Sequence, residues 1–248
     1  QWKFKNDSLV GGNGFWDFSE TQIMTVMLVE NGSLSFQPYL AFINRASGKL
    51  DEARALPCPI EERRWGLGGI SDYSNINLFL NDDSSIIYNL NDHFAKSSGP
   101  DYSSLEWVNE LSGIVPLIRF IKGFRKNIIV NIDGPNRMFS VNANDGTINW
   151  SLRMNADRDW RVQKDMVIDE RKAVAYCVSF VSTPSRDLQV SKINLNTGQF
   201  IWDKRYPMER SDAHKIVLSG GKVFITGSID SNVSTEESWV VLVANSNT

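Results

Sequence analysis

Apolar and polar residues alternate with a period of two along most of the chain, in short runs closed by Gly, Pro, Asn, Asp or Ser. That period places successive side chains on opposite faces of a strand. Ser211–Lys215 and Glu61–Trp65 read as single turns, and no segment sustains the 3.6-residue period of a helix. The clearest alternation is Val141 to Leu152, V-N-A-N-D-G-T-I-N-W-S-L. It predicts a strand, a two-residue hairpin turn at Asp145-Gly146, and a second strand carrying Trp150. The phrase returns at Ile193 to Asp203 as I-N-L-N-T-G-Q-F-I-W-D, with both Gly and Trp displaced by 52 residues.

A repeat of that length is one supersecondary unit, so the rest of the chain was read against four strands A to D per unit. The third unit predicts strands at Leu117–Gly123, Asn127–Ile132, Arg137–Asn142 and Thr147–Arg153. The fourth predicts Met166–Asp169, Ala173–Val181, Leu188–Leu195 and Gln199–Arg205. The second predicts Ile76–Leu80, Ser85–Leu90, a long loop with Gly99-Pro100, then Ser104–Leu111 with Trp107. The first predicts Tyr39–Ser47, a turn at Gly48-Lys49 and Leu50–Leu56, with Glu52 in the Trp slot. The fifth predicts His214–Leu218, Lys222–Ser228 and Ser238–Ala244, and lacks a D strand. Gln1-Trp2-Lys3-Phe4 resembles Phe200-Ile201-Trp202-Asp203, so the N-terminal strand is expected to complete the last unit. The expected architecture is all-β: one five-bladed β-propeller of four-stranded antiparallel blades over 1–248. Its units lie near 6–56, 57–111, 112–155, 156–206, and 207–248 with 1–5. Ring closure of this kind removes exposed sheet edges.

Composition narrows the function. The net charge is −3, and no basic block is present, which argues against nucleic acid and anionic membrane as partners. The apolar runs are strand-sized, Ile23–Val29 among them, and none reaches membrane-spanning length. Cys58 and Cys177 are the two cysteines, and His93 and His214 the two histidines, so no zinc spacing exists. Gly11-Gly12-Asn13-Gly14 precedes a strand, which lacks the helix N-terminus a phosphate needs.

The phrases N-A-N-D-G-T-I-N-W and N-L-N-T-G-Q-F-I-W resemble the repeat of the PQQ-type, quinoprotein-like β-propellers, in which Trp follows Gly by four residues. The resemblance implies a blade-docking role for Trp150 and Trp202 and, by position, for Trp107 and Trp2. The dehydrogenases of that superfamily are about eight-bladed, cover their cofactor with an adjacent Cys pair, and bind calcium beside an Asp. This chain has no adjacent Cys pair, so no cofactor and no metal are expected. Non-enzymatic members act as assembly scaffolds outside the bacterial cytoplasm, which implies a periplasmic or otherwise extracytoplasmic binding module.

A second aromatic column, Trp16, Trp65, Trp160 and His214, follows the Trp slots by ten to fourteen residues. Arg63, Arg64, Arg119, Arg158 and Arg161 share the same connections. Aromatic and Arg residues dominate binding hot spots. The expected ligand- or partner-binding residues are therefore Trp16, Trp65, Arg64, Arg119, Trp160, Arg161 and His214. The partner would be a protein, a small ligand or a glycan. The alternative is a carbohydrate-active or reduced quinoprotein enzyme using channel carboxylates. Its candidates are Asp17, Asp72, Asp92, Asp157, Asp159, Asp165, Asp169 and Asp212, with Asp17 and Asp212 the pair of first interest. A third reading is a piece of a longer propeller.

Overall fold

The computed structural model describes residues 9–11, 16–17, 19–30, 36–57, 78–81, 83–90, 93–110, 118–132, 137–154, 161–181, 187–207, 211–230 and 237–245. Twenty strands in five antiparallel sheets account for nearly all of them, and no helix occurs among them. The first sheet holds β1 (Leu9–Gly11), β2 (Trp16–Asp17), β3 (Gln22–Glu30), β4 (Phe36–Asn44) and β5 (Leu50–Ala55), ordered β1-β3-β4-β5 with β2 also on β3. The second is β6 (Leu78–Leu80), β7 (Ile86–Leu90), β8 (His93–Ser98) and β9 (Ser104–Glu110), in chain order. The third is β10 (Ile118–Phe124), β11 (Asn127–Ile132), β12 (Arg137–Asn142) and β13 (Ile148–Arg153). The fourth is β14 (Arg161–Asp169), β15 (Val174–Val181), β16 (Asp187–Asn194) and β17 (Gln199–Tyr206). The last is β18 (Ser211–Ser219), β19 (Lys222–Asp230) and β20 (Glu237–Asn245). The expected pairing of Gln1–Phe4 with this last sheet lies outside the described residues.

The chain clusters into two compact units, Gln1–Ile128 with Asn142–Thr147, and Ile129–Val141 with Ile148–Thr248. The first unit is built on Met24, Leu40, Phe42, Leu78, Ile86 and Tyr88, contributed by the first two sheets. The second includes Val174, Tyr176, Val178 and Val190 of the fourth sheet, packed with Ala213, Ile216 and Ile225 of the fifth. Burial along β15, a middle strand of its sheet, is nearly continuous.

The turn between the third and fourth strands differs from the two-residue hairpin expected at Asp145-Gly146. β12 ends at Asn142 and β13 begins at Ile148. Gly146 N donates to Asn142 O at 2.9 Å, and Asn142 N to Thr147 O at 2.8 Å. The Asn142 side-chain oxygen accepts the Asn144 amide at 2.9 Å, so an Asx turn opens the loop. Gly146 has φ 75°, but Asp145 is not left-handed, and a type I′ turn needs both. Asp145 instead accepts the amide and hydroxyl of Thr147. The same loop forms at Asn194–Gly198, and at Asn44–Gly48 in the first sheet. The repeated signal is therefore Asn-x-x-x-Gly.

Two strands begin earlier than expected, and β1, β2 and β8 were not expected. β14 starts at Arg161 and β18 at Ser211, because bulges interrupt their alternation. β8 reads H-F-A-K-S-S, which hides a strand because Lys96 and Ser97 are buried polar residues. Cys177 is a buried thiol, and Cys58 lies outside the described residues.

Gly123 of β10 lies directly against the Phe79 ring of β6, where a Cβ would overlap the ring. Gly123→Ala is expected to lower stability by about 1–3 kcal/mol, read as the urea midpoint, with part recovered by adding Phe79→Leu.

Candidate functional site

Each fourth strand carries a one-residue bulge immediately before the Trp slot. Ser140 pairs with Trp150 and Val141 with Ile148, while Lys192 pairs with Trp202 and Ile193 with Phe200. Lys96 pairs with Trp107, and Phe42 with Glu52, by the same rule. The bulge turns the slot residue toward the loop of the next repeat. Trp107 Nε1 donates to Ala143 O at 3.2 Å, and its ring covers Gly146. Trp150 Nε1 donates to Leu195 O at 2.8 Å, and its ring covers Gly198. A Cβ on Gly146 would stand 2.8 Å from the Trp107 ring, and one on Gly198 2.5 Å from the Trp150 ring. Glycine is thus required for space as well as for φ. Trp202 packs near Tyr176, and its buried indole N–H has no partner among the described residues. Trp2 lies outside them.

In the first sheet the Trp slot is Glu52, and the neighbouring residue on that face takes over the contact. Arg54 Nη1 donates to Pro100 O at 2.8 Å in the loop of the second sheet. Glu52 grips the same guanidinium at 2.7 and 2.9 Å, and Arg54 lies over the Phe42 ring. The Arg54 hydrogen bond to Glu52 holds the Glu52 carboxyl below the ordinary carboxylate range.

The first strands carry the second kind of bulge. In β14 the register slips between Gln163 and Asp165, leaving Lys164 as the extra residue; in β18 it slips between Ala213 and Lys215, leaving His214. These bulges occupy equivalent places in neighbouring sheets, and β14 lies beside β18. Asp165, buried beside the bulge, ties them: its carboxylate accepts Met166 N at 2.9 Å and Ile216 N of β18 at 3.3 Å. Lys215 Nζ stands 3.8 Å from Asp165 with its side chain 73% exposed. Lys164 Nζ sits 4.9 Å over the Phe180 ring, and exposed His214 contacts Ser228 Oγ at 3.2 Å. The strip of backbone that carries Lys164, His214 and Lys215 is thus bridged by one carboxylate.

The residues expected to bind a ligand fare unequally. His214 falls on this strip. Arg161 opens β14 and Arg119 is the second residue of β10, so both stand near the start of a first strand. Trp16 does not share that position. It pairs with Met24 beside the β2–β3 turn, the end of its sheet where Arg45 N bonds Thr21 O. Arg161 stands at the opposite end of its own sheet, facing Val181. The reason is that β1 and β2 together fill the first-strand position, so Trp16 falls near its end. Trp65, Arg64 and Trp160 lie outside the described residues. Sequence reasoning passed over Lys164, whose only trace is the broken alternation at R-V-Q-K-D-M.

Among the acidic candidates, Asp165 is committed to backbone amides and Asp169 to the Lys172 amide at 3.3 Å. Asp17 sits on β2 and Asp212 on β18, in different compact units. Asp72, Asp92, Asp157 and Asp159 lie outside the described residues. Among the described residues no group of three or more His, Cys, Asp or Glu is gathered for a metal.

An ion cluster apart from the strip is centred on a buried lysine. The Lys96 side chain, 5% exposed, contacts Asp83 Oδ2 at 3.2 Å and Glu106 Oε2 at 2.9 Å. Burial alone would raise the Asp83 pKa, but hydrogen bonds from Ser85 and Lys96 outweigh it and hold the carboxyl low. Hydrogen bonds from Ser98 and Lys96 hold Glu106 low as well. Burial would likewise depress Lys96, and its two carboxylate bonds win and raise it.

No protein-family model matches the chain, and no curated protein matches its sequence. Solved structures do match in shape. The Dos1 propeller aligns with a TM-score of 0.56 at 12% identity over 92% of this chain and 53% of that one. The Cps50 (Swd1) β-propeller domain of Myceliophteria thermophila aligns at 0.56 and 8% identity over 84% of this chain and 64% of that one. A europium-containing methanol dehydrogenase aligns at 0.53 and 11% identity over 92% of this chain and 49% of that one. The chain therefore spans about half to two thirds of these proteins. These likenesses show a β-propeller fold, here built from antiparallel sheets of three to five strands. No described helix is long and apolar enough to cross a membrane.

Two outcomes test this geometry. Trp150→Phe keeps the ring over Gly198 and loses one hydrogen bond, so it should cost about 1 kcal/mol more than Trp202→Phe in urea unfolding. The two carboxylates bound to Lys96 have depressed folded-state pKa values, so their contribution is complete above the unfolded value near pH 4 and is lost as pH falls through the folded one. Wild-type stability should therefore fall more steeply than that of Lys96→Met on acidification below about pH 5.

Proposed function

We propose that the chain is a non-catalytic binding or scaffold propeller that presents the bulged ends of its first strands to a protein partner. The observation that carries the proposal is the pair of bulges at Lys164 and His214, fixed in register by Asp165. A bulge sacrifices a ladder position and re-aims a side chain, and bulges cluster next to functional sites. Here they turn a lysine and a histidine, flanked by Lys215, onto one strip of a chain whose net charge is −3. That local sign suits an acidic segment of a partner, since complementary charge governs encounter and register. Arg161 and Trp160 belong to the same proposed site. Arg119, Trp65 and Arg64 belong to the corresponding connections of the earlier repeats. Trp16 is left out, because it stands at the other end of its sheet. An extracytoplasmic home is part of the same reading and rests on the repeat phrases.

The test is capture from the native host with a photo-cross-linking residue at position 214. Lys164→Glu with Lys215→Glu should reduce capture of the partner by about tenfold or more while strand content by circular dichroism is unchanged. Equal capture by the folded charge-reversed protein would sink the reading.

A further inference from the structure

Two side-chain amides of the second compact unit are sealed from solvent with every polar atom unbonded. Asn131 of β11 is 0% exposed and Gln163 of β14 is 1% exposed. Among the described residues, neither Asn131 Oδ1 and Nδ2 nor Gln163 Oε1 and Nε2 has a hydrogen-bond partner. Buried amides are rarely left so, and each such group demands a partner.

The repeat shows where these two residues belong. Lys126 O accepts Ala143 N in the third sheet, and Ala173 O accepts Leu195 N in the fourth. Counting forward from those carbonyls, Asn131 holds in β11 the place of Val178 in β15. Gln163 precedes the bulge of β14 as Ala213 precedes that of β18. Val178 and Ala213 pack in one apolar cluster. The seam between the fourth and fifth sheets is therefore greasy at the place where the seam between the third and fourth brings two amides.

We infer that Asn131 and Gln163 hold an internal water molecule between the third and fourth sheets. Together the amides offer both donors and acceptors, which suits a molecule that can donate and accept at once. Internal waters bridge otherwise unsatisfied buried groups, usually with about three hydrogen bonds. Ser179, opposite Gln163 on β15, does not compete, since its hydroxyl donates to Gln189 O at 3.4 Å. The inference stands independently of the binding proposal, although Gln163 is the residue from which the β14 bulge departs.

A crystal structure of the whole chain at about 1.5 Å resolution decides it. A solvent peak is expected about 2.7–3.2 Å from both amides. In Asn131→Val/Gln163→Ala the peak should vanish while the thermal midpoint stays at or above that of the wild type. Each single variant strands the remaining amide and should lower the midpoint by roughly 2–4 °C. A direct amide–amide bond with no solvent peak overturns the inference, as does a dry site or a bound molecule other than water. Should the double variant fail to fold, the wild-type density still decides.

Discussion

Everything in this fold hangs on an indole lying flat on a glycine. The loop Asn142–Gly146 closes with Gly146 in a left-handed conformation, and Trp107 of the preceding sheet covers it and bonds Ala143 O. The arrangement recurs one repeat later with Trp150, Gly198 and Leu195 O. Local and long-range requirements coincide at that glycine: the loop needs its φ, and the neighbour needs its missing Cβ. A loop held by the previous repeat belongs mechanically to that repeat.

The legible part of the fold was what this contact imprints on the chain. Gly and Trp at a fixed interval, with apolar alternation between them, carry most strand positions of the third and fourth sheets. Even Glu52 fell in register with the tryptophans. What escaped reading was substitution by different chemistry. Arg54 reaches Pro100 O from two residues beyond the slot, so no positional match reveals it. β8 was invisible because Lys96 is buried through ion pairs, and a period-two pattern scores such a lysine as exposed.

Less of the candidate site could be read. His214 was singled out as an aromatic in a column, and its actual distinction is the bulge that bears it. Lys164 is its counterpart, and nothing but a break in alternation marks it. Trp16 looked equivalent to Trp160 by distance from the slot. A first strand interrupted between β1 and β2 consumes residues without advancing the sheet, so equal spacing did not mean equal place. Counting along a chain locates a side chain only when the intervening strands are regular.

The first and second sheets are joined differently from the rest, through the Glu52–Arg54 fork on Pro100 O. An aromatic joint is indifferent to ionic strength, whereas an exposed ion pair is weakened by it. Dissolved salt therefore loosens the hold of Glu52 on the guanidinium that reaches Pro100 O, while the tryptophan joints keep theirs.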